Sequence, residues 1–322
     1  MNFMSKKCSV FLVLTMLFAA TFVSEAWAGK KIGVLSWNEE PRYADTIAGM
    51  MAQLAKEGFE PPEIAFVMEN AEGNKAKAVE ISKKFAEAKY DLILLVGTSA
   101  TVPMANEVKE TPIVFSMVYD PIDAKIAASW ESSGNNTTGA SAKVPMVQLV
   151  DRLKMLAPVK TLGIAYTPNE KNSEIQLREM QEAATQAQIK VFPIPLSAKS
   201  DVTSVLPNAL PRVDALYLTG SKIVGESLED IAAAATKAKV ITLSHLQDLV
   251  EKGALFGMVA NPRLMGELAG SKAAQILKGA APSSIPIEPL KNLDVLLNAK
   301  TAKAIGIDIT PAFRQIVTGE IN

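Results

Sequence analysis

Small polar side chains recur in this chain at the ends of apolar runs. Ser36-Trp37 follows Ile32 to Leu35, Gly97-Thr98-Ser99 follows Leu92 to Val96, and Gly220-Ser221 follows Ala215 to Leu218. A Gly-hydroxyl turn between a buried strand and a helix presents free backbone N–H groups together with hydroxyl donors, and helix N-termini favour negative charge. The chemistry this suits is reversible capture of a carboxylate-bearing small molecule. Ser and Thr also cap helices everywhere. Ligand contact leads at Thr98 and Ser99, whereas capping leads at Ser141 and at the pair Asn172-Ser173. Asp120, ahead of Pro121, reads equally as a turn residue and as the receiver of a ligand amine or hydroxyl. Trp37 and Tyr166 stand at strand ends as flat walls for a ligand, with Tyr119 left open. Asn261, ahead of Pro262, is either a turn residue or a cleft contact. No arginine falls in the loops around Thr98, Ser99 and Ser141, so neutral donors are expected to hold the carboxylate.

Catalytic alternatives find little support. His245 is the only histidine, so a metal site built on two or three histidines is impossible. Cys8 is the only cysteine, and it lies in a segment expected to be removed. There is no Gly-x-Ser-x-Gly elbow, no phosphate-binding Gly-x-x-x-x-Gly-Lys-Ser/Thr loop and no Gly-x-Gly-x-x-Gly turn. No enzyme activity, cofactor or metal is therefore expected. With 33 basic and 34 acidic residues the net charge is −1, which gives no basic face for nucleic acid.

The elements that must position these residues follow from hydropathy patterning. Residues 1–28 read as a cleavable signal: Lys6 and Lys7, an apolar stretch from Val10 to Ala20, then Ala26-Trp27-Ala28. Cys8 precedes the apolar stretch, so no lipid anchor is expected, and no later stretch is long enough to insert in a membrane. From Lys31 onward short apolar, β-rich runs alternate with helical periodicity, the pattern of an α/β protein with mainly parallel sheets. The order then restarts at Leu162. Asp91 and Asp214 each precede a glycine-hydroxyl turn by six residues, at the third strand of each half. Two doubly wound parallel-sheet lobes around a cleft are predicted, because ligands in such sheets sit beyond the carboxyl ends of the strands. The expected division is 29–141 plus 257–284 for one lobe and 142–256 plus 285–322 for the other.

Several runs are similar, in order and spacing, to one family. They are Gly97-Thr98-Ser99-Ala100-Thr101, Thr111 to Phe115, Asp120-Pro121, Gly134 to Gly139, Leu156-Ala157-Pro158 and Asn172-Ser173. Val213-Asp214-Ala215, Glu251 to Ala254 and Asn298 to Gly306 continue the series. The chain resembles the periplasmic ABC-transporter substrate-binding proteins that include tryptophan- and other aromatic amino-acid-binding members. The resemblance implies a type I periplasmic-binding fold and a monomeric receptor that delivers a small solute to a membrane permease. Two runs depart from the family pattern. Glu39-Glu40-Pro41-Arg42-Tyr43-Ala44 stands where many members carry Glu-His-Pro-Ala-Leu-Asp, and Thr219-Gly220-Ser221-Lys222 lacks an Asp found in others. Both loops should face the cleft, so they bear on which solute is bound. A periplasmic sensing module that shows its closed form to a membrane receptor is the alternative role.

Overall fold

The computed structural model describes residues 29–322, so the signal expected over 1–28, with Cys8, lies outside the described residues. Strands β1 (Lys30–Ser36), β2 (Ile64–Asn70), β3 (Leu92–Val96), β4 (Ile113–Val118) and β5 (Thr137–Ser141) form a parallel sheet in the order β2-β1-β3-β4-β5. Strands β6 (Thr161–Tyr166), β7 (Lys190–Pro195), β8 (Ala215–Leu218), β9 (Ile241–Ser244) and β10 (Phe256–Val259) repeat that order as β7-β6-β8-β9-β10. The continuous apolar runs are buried on both faces; every residue of β3, β8, β9 and β10 is buried. This is the doubly wound arrangement in which strand order reverses beside the first strand and ligands collect at the strand ends. Two α/β lobes are thus built from one repeated plan, as the alternation of runs predicts.

The crossings between lobes differ in detail from the sequence division. The first lies after Ser141, and the chain continues into helix Met146–Leu156 against helix Lys171–Gln186. The strand 256–259 pairs with β9, so the chain returns to the first lobe after Val259 rather than at 257. Helix Pro262–Leu277 then packs along helix Pro41–Lys56 and against β4 and β5. The third crossing also falls later. Ile285 to Pro289 stays with the first lobe, where a two-residue strand β11 (Glu288–Pro289) pairs with β5. Only after it do β12 (Asp294–Asn298), antiparallel to β10, and β13 (Gly319–Ile321) complete the second sheet.

The contact between helices Pro41–Lys56 and Pro262–Leu277 fixes the face that looks into the cleft. The apolar spacing of Ile47, Met50, Met51 and Leu54 in the sequence predicts that they form the buried face of the first of these helices. The buried set is instead Arg42, Tyr43, Thr46, Gly49, Met50 and Leu54. Gly49 and Gly266 explain the rotation. A Cβ on Gly266 would collide with the Thr46 carbonyl oxygen, and one on Gly49 with that of Arg263. Backbones this close leave room for small residues only, so the helix turns Thr46 and Gly49 inward and swings Arg42 and Tyr43 to the cleft end.

Candidate functional site

The carboxyl ends of both sheets converge on one interlobe site. It is lined from the first lobe and its exit by Trp37, Arg42, Tyr43, Thr98, Ser99, Met117, Tyr119 and Ala142. Glu170, Asn172, Gln176, Gly220, His245 and Leu246 line it from the second lobe. The lobes are shut on it, leaving a cavity of about 20 Å³, the room of a water or so.

Of the residues singled out in the sequence, the site brings together Trp37, Thr98, Ser99, Asn172 and Gly220. Gly97 sits at φ 98°, a backbone region that favours glycine. There it turns β3 into helix Thr98–Glu107 and passes close under Trp37 and Tyr43. Thr98 Oγ1 accepts the Tyr119 N–H at 3.3 Å. The Trp37 ring is 4% exposed and its Nε1–H has no partner. Asn172 donates from Nδ2 to the Gly220 carbonyl at 2.5 Å, while its Oδ1 is buried and unpaired. Across the cleft, then, the first lobe holds an unused donor and the second an unused acceptor. Buried polar groups are seldom left so, because each costs about 1–3 kcal/mol.

The other expected contacts are structural. Ser36 donates to the Asn38 carbonyl at 2.8 Å. Asp120 closes its own turn by accepting from the Ile122 and Asp123 amides, and its second oxygen holds Lys143 at 2.5 Å. That cation takes the place expected for a ligand amine. Ser141 caps no helix; it donates to the Tyr119 carbonyl at 2.6 Å and steadies the first crossing. Ser173 accepts the Thr167 N–H at 2.9 Å, and Ser221 caps a short helix by accepting the Val224 N–H. Asn261 caps helix Pro262–Leu277 through the Leu264 N–H. Tyr166 ends β6 outside the lining.

The sequence places residues 39–44 at the cleft but assigns Arg42 no role there. Arg42 is buried and bonded to Asp248 of the other lobe at 2.6 Å and to Glu40 at 2.5 Å. Burial opposes its charge, but these two carboxylates outweigh that and hold it firmly protonated. The hydroxyl loops hold no arginine, as the sequence shows, but neutral donors are not alone at the cleft: Arg42 reaches it from a helix. Met117 is also aimed inward, at φ 56°, where the β4–β5 register shifts between Phe115 and Val118; such bulges re-aim side chains. His245 bonds through Nδ1 to the Tyr217 hydroxyl at 2.8 Å. Its burial, with Arg42 nearby, pushes its pKa down to about 3, so it lines the site as a neutral ring.

Further ties bridge the lobes. Tyr119 donates to Glu179 at 2.7 Å, Lys143 also meets Glu179 at 2.6 Å, and Arg178 pairs with Asp123. Lys222 reaches the Glu72 and Gly73 carbonyls at 3.2 and 3.3 Å.

Glu170 is the titratable group poised near neutrality. Burial lifts its pKa from 4.5 to about 7, helped by Glu40 and opposed by the Lys222 amide, Lys75 and Arg42. A carboxyl whose folded pKa is raised holds its proton more tightly when folded. Its destabilising effect is absent below about pH 4.5 and grows until about pH 7, as proton linkage requires. Glu170→Gln should therefore melt above the parent by a margin that widens between pH 4.5 and 7. Thermal melts across that range check this; a margin independent of pH would contradict it.

With this geometry in view, comparison with known proteins is informative. A tyrosine-binding protein of Clostridioides difficile is 26% identical over 278 residues, 86% of this chain and 81% of its own length. A Streptococcus pneumonia ABC domain crystallised with L-Trp has a TM-score of 0.87 at 26% identity, over 91% of this chain and 100% of its own. A ligand-free, open substrate-binding protein with adhesive properties from Clostridium difficile gives 0.72 at 29% identity, over 90% and 98%. The shut lobes thus resemble the L-Trp complex more than the open form. The family model for ABC transporter substrate binding proteins matches residues 31–315. Its members have a type I periplasmic-binding fold and bind solutes rather than transform them, and this chain belongs to that family.

Proposed function

We propose that this protein is the exported receptor of an ABC importer, taking a small zwitterionic solute between its lobes and presenting it to a membrane permease. An amino acid is the leading candidate, and the tyrosine- and L-Trp-binding relatives favour one with an aromatic side chain. The observation that carries this reading is the pair of unused polar atoms facing one site from opposite lobes, Trp37 Nε1 and Asn172 Oδ1. A ligand carboxylate satisfies the indole N–H and lies beside the Thr98 and Ser99 hydroxyls at a helix N-terminus. A ligand ammonium satisfies Asn172 and the Glu170 carboxylate. An amino acid cannot enter a void of about 20 Å³, so uptake requires the lobes to part and then close on the ligand, which shifts the population toward the closed form. Removal of residues 1–28 would place the receptor in the periplasm as a soluble monomer.

Native mass spectrometry of the protein as purified should show a retained solute of amino-acid mass. After stripping by unfolding and refolding, calorimetry with that solute and its primary amide tests the carboxylate contact. The acid should bind at least about tenfold more tightly, the worth of one charge-assisted hydrogen bond. Equal affinity for acid and amide would overturn the carboxylate contact.

A further inference from the structure

A second and larger cavity lies on the hinge side, against two of the three lobe crossings. Its volume is about 570 Å³, within the range of small-molecule pockets, whereas the interlobe site is shut to about 20 Å³. Most of the wall is apolar, from Trp130, Val144, Met258, Leu290, Leu293 and neighbouring residues. The charged lining residues are Lys143, Arg152 and Lys291, with no acidic side chain among them. Lys143 is already held between Asp120 and Glu179. Lys291 is exposed near Glu288, whose carboxylate is bonded to Lys272 at 2.7 Å. Arg152 is half-buried, and its Nε–H is shielded from water without an acceptor. A buried guanidinium donor left unpaired is uncommon, because desolvating it without a partner is costly.

We propose that this hinge cavity is a second ligand site, for a small molecule with an apolar, ring-bearing body and one anionic head. The body packs on Trp130 and the aliphatic wall, and the head accepts from Arg152 with Lys291 beside it. Apolar burial drives entry, while the unpartnered Arg152 donor, with Lys291 beside it, selects anions over neutral molecules of the same shape. The site rests on residues that the interlobe cleft does not use, apart from Lys143 at the crossing.

Anilinonaphthalene sulfonate and its uncharged counterpart, phenylnaphthylamine, test this as a matched pair in native buffer. The sulfonate should bind saturably with one site per chain and at least about tenfold more tightly than the neutral amine. Arg152→Gln should weaken sulfonate binding by about tenfold or more. Lys291→Gln, at an exposed position, should weaken it less but measurably. Solute affinity at the interlobe site should be unchanged in Lys291→Gln, which separates the two sites. Non-saturable binding, equal affinity for sulfonate and amine, or sulfonate affinity untouched by both substitutions would each overturn the proposal.

Discussion

Replacing Arg42 by methionine is expected to open the lobes rather than unfold them. The guanidinium is 3% exposed and sits between Asp248 at 5% and Glu40 at 11%. Methionine fills much of the volume but leaves two carboxylates facing each other out of water. Breaking a buried ion pair from one side costs about 3–5 kcal/mol. Here the cost falls mainly on the closed form, because Arg42 and Asp248 belong to different lobes and regain water when the lobes swing apart. Each lobe keeps its own sheet and core. The closed-to-open ratio should fall by roughly a hundredfold or more, at about 1.4 kcal/mol per factor of ten. Small-angle scattering of the ligand-free variant should give a larger radius of gyration than the parent, with only a modest fall in melting temperature. An unchanged radius with a melting point lowered by the full amount would make Arg42 a pillar of the fold rather than a latch.

Much of the architecture is legible because buried parallel strands announce themselves. Leu92 to Val96 is five apolar residues without a break, and such a run has nowhere to go but between two helix layers. The strand-end rule puts Trp37, Thr98, Ser99 and Gly220 at the carboxyl ends of the sheets, and they line the interlobe cavity; Asn172, whose position reads first as a cap, lines it as well. Hydroxyl-bearing turns read less well, since the same residues cap, cross-link and bind. Ser141, Ser173 and Ser221 are spent on backbone and hydroxyl partners. Asp120 closes the turn that its place ahead of Pro121 suggests, but its second oxygen goes to Lys143, 23 residues on, which local sequence does not reveal. Short edge strands such as Glu288–Pro289 carry no periodicity to detect, so the third crossing was placed too early.

Arg42 escaped for a different physical reason. A charged residue on a helix ordinarily faces solvent; this one is held inside by Glu40 and by Asp248, 206 residues away, and the distant partner cannot be read from local sequence. Glu170 was hidden likewise, since burial and its neighbours rather than its own sequence context set its pKa. His245 drew notice only as a missing catalyst; its neutral ring is part of the wall because Tyr119 packs edge-on against it at 5.3 Å.

The central claim is that one solute touches both lobes at once, and single substitutions on each side test it most directly. Trp37→Phe keeps an aromatic ring and removes the indole N–H from the first lobe. Asn172→Ala removes the unpaired carbonyl oxygen from the second, leaving the Gly220 carbonyl to find another donor. Each atom is buried and has no protein partner in the closed form, so a ligand that satisfies it gains about 1–3 kcal/mol there. Calorimetric titration with the solute recovered from the purified protein should show each variant binding about ten- to a hundredfold more weakly than the parent. Affinity lost in one variant and unchanged in the other would confine the solute to a single lobe and contradict the account.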